Sequence, residues 1–287
     1  MTSESVRAKR ELIFSMTLFG TIGLFVRGIG LPSSAIAMIR GLLGAAFLLI
    51  YTRLRGEKLS REAMRRNALL LAASGAAIGV NWILLFEAYR YTTVATATVC
   101  YYLAPVFLIL TSPLTLGEKL TRKKTLCVLL ALVGTVFISG GAEGASLLGV
   151  VCGAGAAAFY ATVMTLNKKF RDISAYERTV VQLAVAGIVV APYVFLTEDP
   201  ARWSVGAWQL VLLLIVGFMH TGYTYALFFG AVSRLETQTV AIYSYLDPLV
   251  AVLLSALVLR EPMGLGGIVG AVLVLGSTLW SELGGEK

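Results

Sequence analysis

Apolar residues run through the chain in blocks of about twenty, each ended by a short polar or charged cluster. That length matches the ~20 residues a helix needs to cross the hydrocarbon core of a bilayer. The pattern predicts ten spans, at about 11–30, 33–54, 68–88, 93–115, 122–141, 146–167, 175–197, 207–230, 237–259 and 264–283. Helix-ending residues mark the breaks: Gly30 and Pro32 after the first span, and the small residues of 140–146 near the midpoint. The connection over 55–67 is the longest and is strongly charged. Arg7, Lys9 and Arg10 precede the first span, and no small-residue cleavage site follows it, so it reads as a retained span and not a removed signal peptide.

The pattern also repeats. Displaced by 143 positions, Ser74–Glu118 aligns with Gly217–Glu261 without a gap, with 13 of 45 positions identical. Tyr102 falls on Tyr245, Leu103 on Leu246, Pro105 on Pro248 and Glu118 on Glu261. Two apolar segments share leucines by chance, but chance does not readily align both prolines, both tyrosines and both terminal glutamates. The chain therefore reads as a tandem duplication, with 1–143 a first five-helix repeat and 144–287 a second.

Composition agrees with a membrane protein: 57% of residues are hydrophobic and 14% charged, against about 25% charged in ordinary soluble domains. A net charge of +8 would suit a nucleic-acid partner, but the basic residues sit between spans and not on one surface. With the N-terminus in the cytoplasm, ten spans place 18 of the 24 Lys and Arg residues on the cytoplasmic side. The outer side holds Arg27, Arg90, Arg202 and Arg260, and Arg40 and Arg178 lie within spans. This is the positive-inside signature of a multi-pass plasma (inner) membrane protein with both termini cytoplasmic, and it leaves no role for nucleic acid. Five spans per repeat is an odd number, so the second repeat must insert upside down. The loop after the second span carries six basic residues and its counterpart after the seventh only Arg202. The expected fold is thus all-α and membrane-integral, ten transmembrane helices in two inverted five-helix repeats. Such repeats build a site near the midplane and work by alternating access. Cys100, Cys127 and Cys152 fall inside spans with no disulfide or metal spacing, so no metal is expected. No phosphate-binding glycine loop is present, so neither a nucleotide cofactor nor ATP-driven transport has support.

Ten spans in two halves, each with a proline inside its fourth helix and a Gly-Glu or Arg-Glu end, resemble the drug/metabolite transporter superfamily, and within it the EamA family. The stretch NWILLFEAYRYTTVATATVCYYLAPVFLILTSPLTLGEKLTRKK carries most of the likeness and YSYLDPLVAVLLSALVLREP the rest. The resemblance implies membrane transport, usually export of small metabolites, through a central cavity lined by both halves. It implies no enzyme and no fixed motif, and it leaves the substrate open.

The repeat sorts the polar residues. Shared positions belong to the scaffold: Pro105 and Pro248 as kinks that shape or gate the cavity, Glu118 and Glu261 as anchors at the two membrane faces. Tyr102 and Tyr245, deep in their spans, are expected to line the cavity with Trp82, Asn81, Tyr225 and Thr224. Asp247 departs from symmetry, its counterpart being Ala104. A carboxylate at that depth costs about 2.5–3.5 kcal/mol, so it must face water, a partner or a proton, with Tyr243 one turn earlier as a neighbour. His220, the one histidine, is opposite Ala77 and is either a second proton-coupling group or a buried hydrogen-bonding residue. Arg40 is placed to bind a substrate carboxylate or to pair with Asp247 or Glu87, and Glu87 has Arg90 close by for a local pair. Gly75–Gly79, Gly149–Gly153 and Gly266–Gly270 have the spacing of close helix contacts, read as internal. Together these predict a secondary transporter for small polar or amphipathic, amino-acid-like metabolites, working outwards with proton coupling. The alternatives are an exporter of cationic drugs or quaternary amines, or an uncoupled facilitator. Its partners are a small-molecule substrate and membrane lipids, with the chain acting as a monomer.

Overall fold

The apolar blocks fold as helices, and a capping hydroxyl stands where several of them begin. A computed structural model describes residues 3–56, 59–115, 121–141, 146–232, 234–235, 243–262 and 264–282. All regular structure among them is helical. The first helices are α1 (Ser3–Ile29), α2 (Ser33–Leu54), a short α3 (Arg61–Arg66) within the charged connection, and α4 (Ala68–Tyr91). Next come α5 (Val94–Tyr101), α6 (Ala104–Thr115), α7 (Arg122–Gly141), α8 (Leu147–Asn167) and α9 (Ala175–Thr197). α10 (Ala207–Leu214) continues through a π-helical segment, Ile215–Tyr223, into α11 (Thr224–Val232), and α12 (Leu246–Leu257) and α13 (Leu265–Glu282) follow. Thr93, Ser146 and Ser174 cap α5, α8 and α9 by accepting from backbone N–H groups of the first turn, with Glu177 completing a capping box at α9.

Seven spans among the described residues are long and apolar enough to cross a membrane. Their burial pattern is that of a protein dissolved in lipid. Leu54, Leu69, Leu196 and Leu257 are largely exposed, while Arg40, Asn81, Gln182 and His220 are buried. In hydrocarbon every buried polar group needs an internal partner, and most have one here. Gln182 of α9, for example, donates to Ser74 of α4 at 2.8 Å and to Asn167 at 2.9 Å.

Two predicted spans differ in form from expectation. The block at 93–115 is two helices, broken at Tyr102 and Leu103, and Pro105 is the second residue of the new helix and not a kink inside an old one. Proline costs little in a first turn, where its missing N–H would have no acceptor. Pro248 occupies the same kind of place as the third residue of α12. The two repeat-related tyrosines before them share one backbone conformation, φ −72 and ψ 5 at Tyr102 and φ −73 and ψ −6 at Tyr245. The second difference is the π-helical segment. His220, Thr221 and Thr224 each bond through the side chain to the carbonyl five residues back, so the wide turn is held by its own polar side chains.

Helix contacts follow a regular scheme. α2 packs on α9, α7 on α13 and α5 on α12. α4 packs on α8 as α11 packs on α1, and α4 meets α9 as the π-helical segment meets α2. α8 lies against α5 and α6 as α1 lies against α12. Small residues permit these approaches. A Cβ on Gly75 would meet Val185 at 2.6 Å, and one on Gly79 would meet the Ala186 carbonyl at 3.0 Å, so this motif closes α4 on α9. Gly149 and Gly153 close α8 on Thr92 and Cys100, and Gly270 backs onto Gly134. At Gly41 of α2 an added Cβ would meet the Gly187 nitrogen and Leu183 carbonyl of α9, both at 3.0 Å. Backbone on that side cannot swing away as a side chain can. Gly41→Leu is therefore expected to force α2 from α9 and to lower stability by about 1–3 kcal/mol, the usual range for overpacking. A thermal melt in detergent reads it as a lowered unfolding midpoint.

At the end of the bundle where α1 turns into α2, Arg27 forms an ion pair with Glu261 and donates to the carbonyls of Tyr89 and Thr92. Glu261 also accepts from the Val94 N–H at 2.9 Å, capping α5, and from the Ser255 hydroxyl. One carboxylate thus ties α1, α5 and the end of α12 together. Its counterpart Glu118 lies outside the described residues, as does Ala241, the counterpart of Thr98.

Candidate functional site

The break at Tyr102 opens the centre of the bundle. Around it lies a cavity of about 350 Å³ walled by α1, α2, α4, α5, α6, α8, α11 and the start of α12. Six of the seven residues expected to bind substrate line it: Arg40, Trp82, Tyr102, Tyr225, Tyr245 and Asp247, with Pro105 beside them. Asn81, the seventh, is outside the lining and donates through its amide to the Ala156 carbonyl at 2.6 Å, fastening α4 to α8 beside Tyr101 of the wall. Thr224, its repeat counterpart, bonds to Met219 inside its own helix. Neither lines the cavity because each points one residue round from the cavity-facing Trp82 or Tyr225.

Arg40 is 3% exposed and stacks over Trp82, with its guanidinium carbon 4.1 Å from the ring centroid and 5.4 Å from that of Phe86. Such a desolvated cation–π contact is worth about 2 kcal/mol and holds the fork in a fixed plane. Its Nε donates to the Thr221 hydroxyl at 3.0 Å, and that hydroxyl donates in turn to the Val216 carbonyl at 2.8 Å. The π-helical segment therefore positions Arg40. Among the described residues the terminal amino groups of Arg40 have no protein acceptor, and neither Asp247 nor Glu87 pairs with it. Glu87 instead pairs with Arg90 at 3.2 Å, the local pair expected from their spacing.

Asp247 stands in the first turn of α12 and accepts from the Tyr102 hydroxyl at 3.1 Å, a group that also lies 3.0 Å from the Ser244 carbonyl. The neighbour expected from the sequence, Tyr243, packs instead against the cluster of Leu12, Met16 and Ala231. The break explains the difference: α12 starts at Leu246, so Tyr243 is not one regular turn below Asp247, and the partner comes from across the repeat. His220 is outside the cavity lining. Its Nε2 is 2.8 Å from the Thr21 hydroxyl and its ring packs against Phe25 at 4.8 Å, so it joins α1 to the π-helical segment behind the wall.

Tyr89, Tyr101, Tyr160 and Thr98 also line the cavity. Tyr101 stands 5.3 Å from Tyr160 and 6.4 Å from Tyr102, and Tyr102 is 5.9 Å from Tyr245, so aromatic faces form a continuous wall. A signal for Tyr89 is present in the repeat, where its counterpart is Val232. The site thus holds a cation with free donors, a carboxylate with a single described donor, and six tyrosines. It has the make-up of a small-molecule site, mostly apolar with a few placed polar groups. Among the described residues no three His, Cys, Asp or Glu side chains gather as a metal site would need.

The sequence model of the EamA-like transporter family matches residues 12–140 and again 147–282. The chain belongs to the EamA-like transporter family. A relative described as the uncharacterized transporter YxxF of Bacillus subtilis (strain 168) is 31% identical over 250 residues, 85% of this chain and 79% of that one. An uncharacterized transporter of Vibrio cholerae is 24% identical over 91% of this chain and 88% of its own. Protein RarD of Salmonella typhi is 29% identical over 69% of this chain and 67% of its own. A solved structure described only as a crystal structure of a protein superposes with a TM-score of 0.69, covering 96% of each chain at 19% identity, which is likeness of fold. This EamA-family chain is therefore a multi-span membrane protein of a transporter family, its helices gathered around the cavity just described.

Proposed function

We propose that this EamA-family protein is a secondary transporter that exports small, amino-acid-like metabolites across the plasma membrane by alternating access, coupled to protons through Asp247. The observation that carries the reading is the pair of opposite charges in one aromatic cavity, Arg40 and Asp247, with no described bond between them. A buried charge left without a partner is costly, so both sites await the complementary charges of a zwitterion. The Arg40 fork suits a carboxylate, and Asp247 with its tyrosines suits an ammonium group. The two-half architecture is supported by the double family match and by the helix contacts, several of which recur between repeat-related helices. With ten spans and inverted repeats, the cavity sits where the two halves meet.

A second reading, export of cationic amines, is favoured by the six tyrosines around Asp247. One binding series separates the two. A free amino acid, its methyl ester and its N-acetyl derivative are titrated against the purified protein by thermal stabilisation. The zwitterion reading expects both derivatives to bind at least about tenfold more weakly than the parent, each having lost one charged hydrogen bond. An ester that binds as well as the parent sinks the role of Arg40 and favours the cation reading.

A further inference from the structure

A second cavity, of about 480 Å³, lies at the other end of α1 and α2. It is separate from the central one. Tyr225 and Phe228 face the central cavity, and Phe229, stacked 5.7 Å from Tyr225 and edge-to-face 6.1 Å from Tyr176, stands behind them. The second cavity is lined by Arg7, Arg55 and Arg234, with Glu11, Tyr51 and Tyr176. Glu11 is its one acid among the described residues, and it pairs with both Arg7 and Arg234. Arg55 has no described acceptor for its side chain, and its guanidinium is held 5.0 Å over the Tyr51 ring. Three guanidinium groups around one carboxylate leave an excess of positive charge in a concave site, and the fork of arginine matches phosphate oxygens. On the same α2, Ile50 and Leu54 are 58% and 84% exposed, one turn apart and leading up to Arg55. This is an apolar strip that ends at a cation.

We propose that this cavity binds the phosphate of an anionic phospholipid headgroup, with the acyl chains along Ile50 and Leu54. The placement rests on the transporter reading, in which this end of the bundle meets the cytoplasmic leaflet, where anionic lipids meet basic pockets between helices. A bound lipid would bridge α1 and α2 of the first half to α9 and α11 of the second, so it favours the arrangement in which these ends are close.

The test uses the full chain in nanodiscs of phosphatidylcholine with a rising fraction of phosphatidylglycerol, read as the thermal unfolding midpoint. The midpoint is expected to rise with phosphatidylglycerol, and Arg55→Gln to lose about half or more of that rise. Arg55→Lys, which keeps the charge, is expected to retain most of it, and it stands in as the reference if Arg55→Gln lowers the midpoint in phosphatidylcholine alone. An equal rise in wild type and Arg55→Gln overturns the proposal, as does an Arg55→Lys variant that behaves like Gln. If inorganic phosphate in pure phosphatidylcholine discs raises the midpoint as much as phosphatidylglycerol does, the ligand is a soluble anion and the lipid assignment fails. The readout is binding and not flux, so failure here leaves the transport reading standing, and loss of transport elsewhere leaves this cavity standing.

Discussion

Replacing Arg40 by Gln is expected to weaken binding of an amino-acid-like zwitterion by roughly 10- to 150-fold. The estimate comes from the ~1.5–3 kcal/mol carried by a hydrogen bond to a charged group, at 1.4 kcal/mol per factor of ten. Gln keeps much of the contact with Trp82 and Phe86 but has neither charge nor fork. Lys restores the charge without the fork, so Arg40→Lys is expected to recover only part of the affinity. Thr221→Val separates position from charge. It removes the hydroxyl that holds Nε and leaves the guanidinium intact, so binding falls less, about three- to tenfold. A methyl ester, with no carboxylate to lose, binds wild type and all three variants alike. Calorimetry on folded protein, with the unfolding midpoint as control, reads the whole set. If Arg40→Gln binds the free amino acid as tightly as wild type, the cavity does not use Arg40 and the substrate assignment is wrong.

The spans were legible because lipid imposes length and apolarity on any helix that crosses it. Most helix bounds fall within a few residues of the predicted blocks, from Ser33–Leu54 to Ala175–Thr197. Hydropathy is silent about breaks within a block. Leu103 and Ala104 are as apolar as their neighbours, so the end of α5 at Tyr101 leaves no trace in the average, and the proline four residues beyond reads as a kink. The π-helical segment is hidden for the same reason, although two threonines and a histidine within five residues are an unusual polar load for one apolar block.

The cavity was legible in part, through the comparison of halves. Asp247 against Ala104 marks a departure from the repeat and Arg40 is a charge inside a span, and both aspartate and arginine face the cavity. His220 against Ala77 is as strong a departure and lies behind the wall, since asymmetry records that a residue is special and not which way it points. Direction came from helix phase, and phase is lost at each break. This is why Tyr243, read as one turn from Asp247, proved to be in another cluster, while Tyr102 from the opposite half supplies the hydrogen bond.

Asp247→Asn is expected to uncouple transport from the proton gradient, lowering pH-driven flux by at least about tenfold, with substrate counterflow surviving only at raised substrate concentration because Asn cannot pair with an ammonium group. An ionised carboxylate at this depth costs about 2.5–3.5 kcal/mol, and a single described donor, the Tyr102 hydroxyl, offsets part of it. Two events remove the rest of the cost: arrival of a cationic group or arrival of a proton. Both use the same carboxylate, so they exclude each other, and exchanging one for the other as the halves rock is antiport. Asn is close in size, still accepts from Tyr102 and never ionises. It therefore mimics the protonated state permanently, and the gradient has nothing left to act on. The sign follows: acidifying the far side drives substrate out of wild-type vesicles, and the variant is indifferent to that pH. His220→Ala is the companion. Its ring is outside the cavity and braces α1 through Thr21, so its loss is expected to lower the unfolding midpoint while leaving the pH response in place. Proteoliposomes with an imposed pH gradient distinguish the two residues. If Asp247→Asn keeps full pH-driven flux and His220→Ala loses it, the proton travels by the histidine and the site described around Asp247 serves substrate alone.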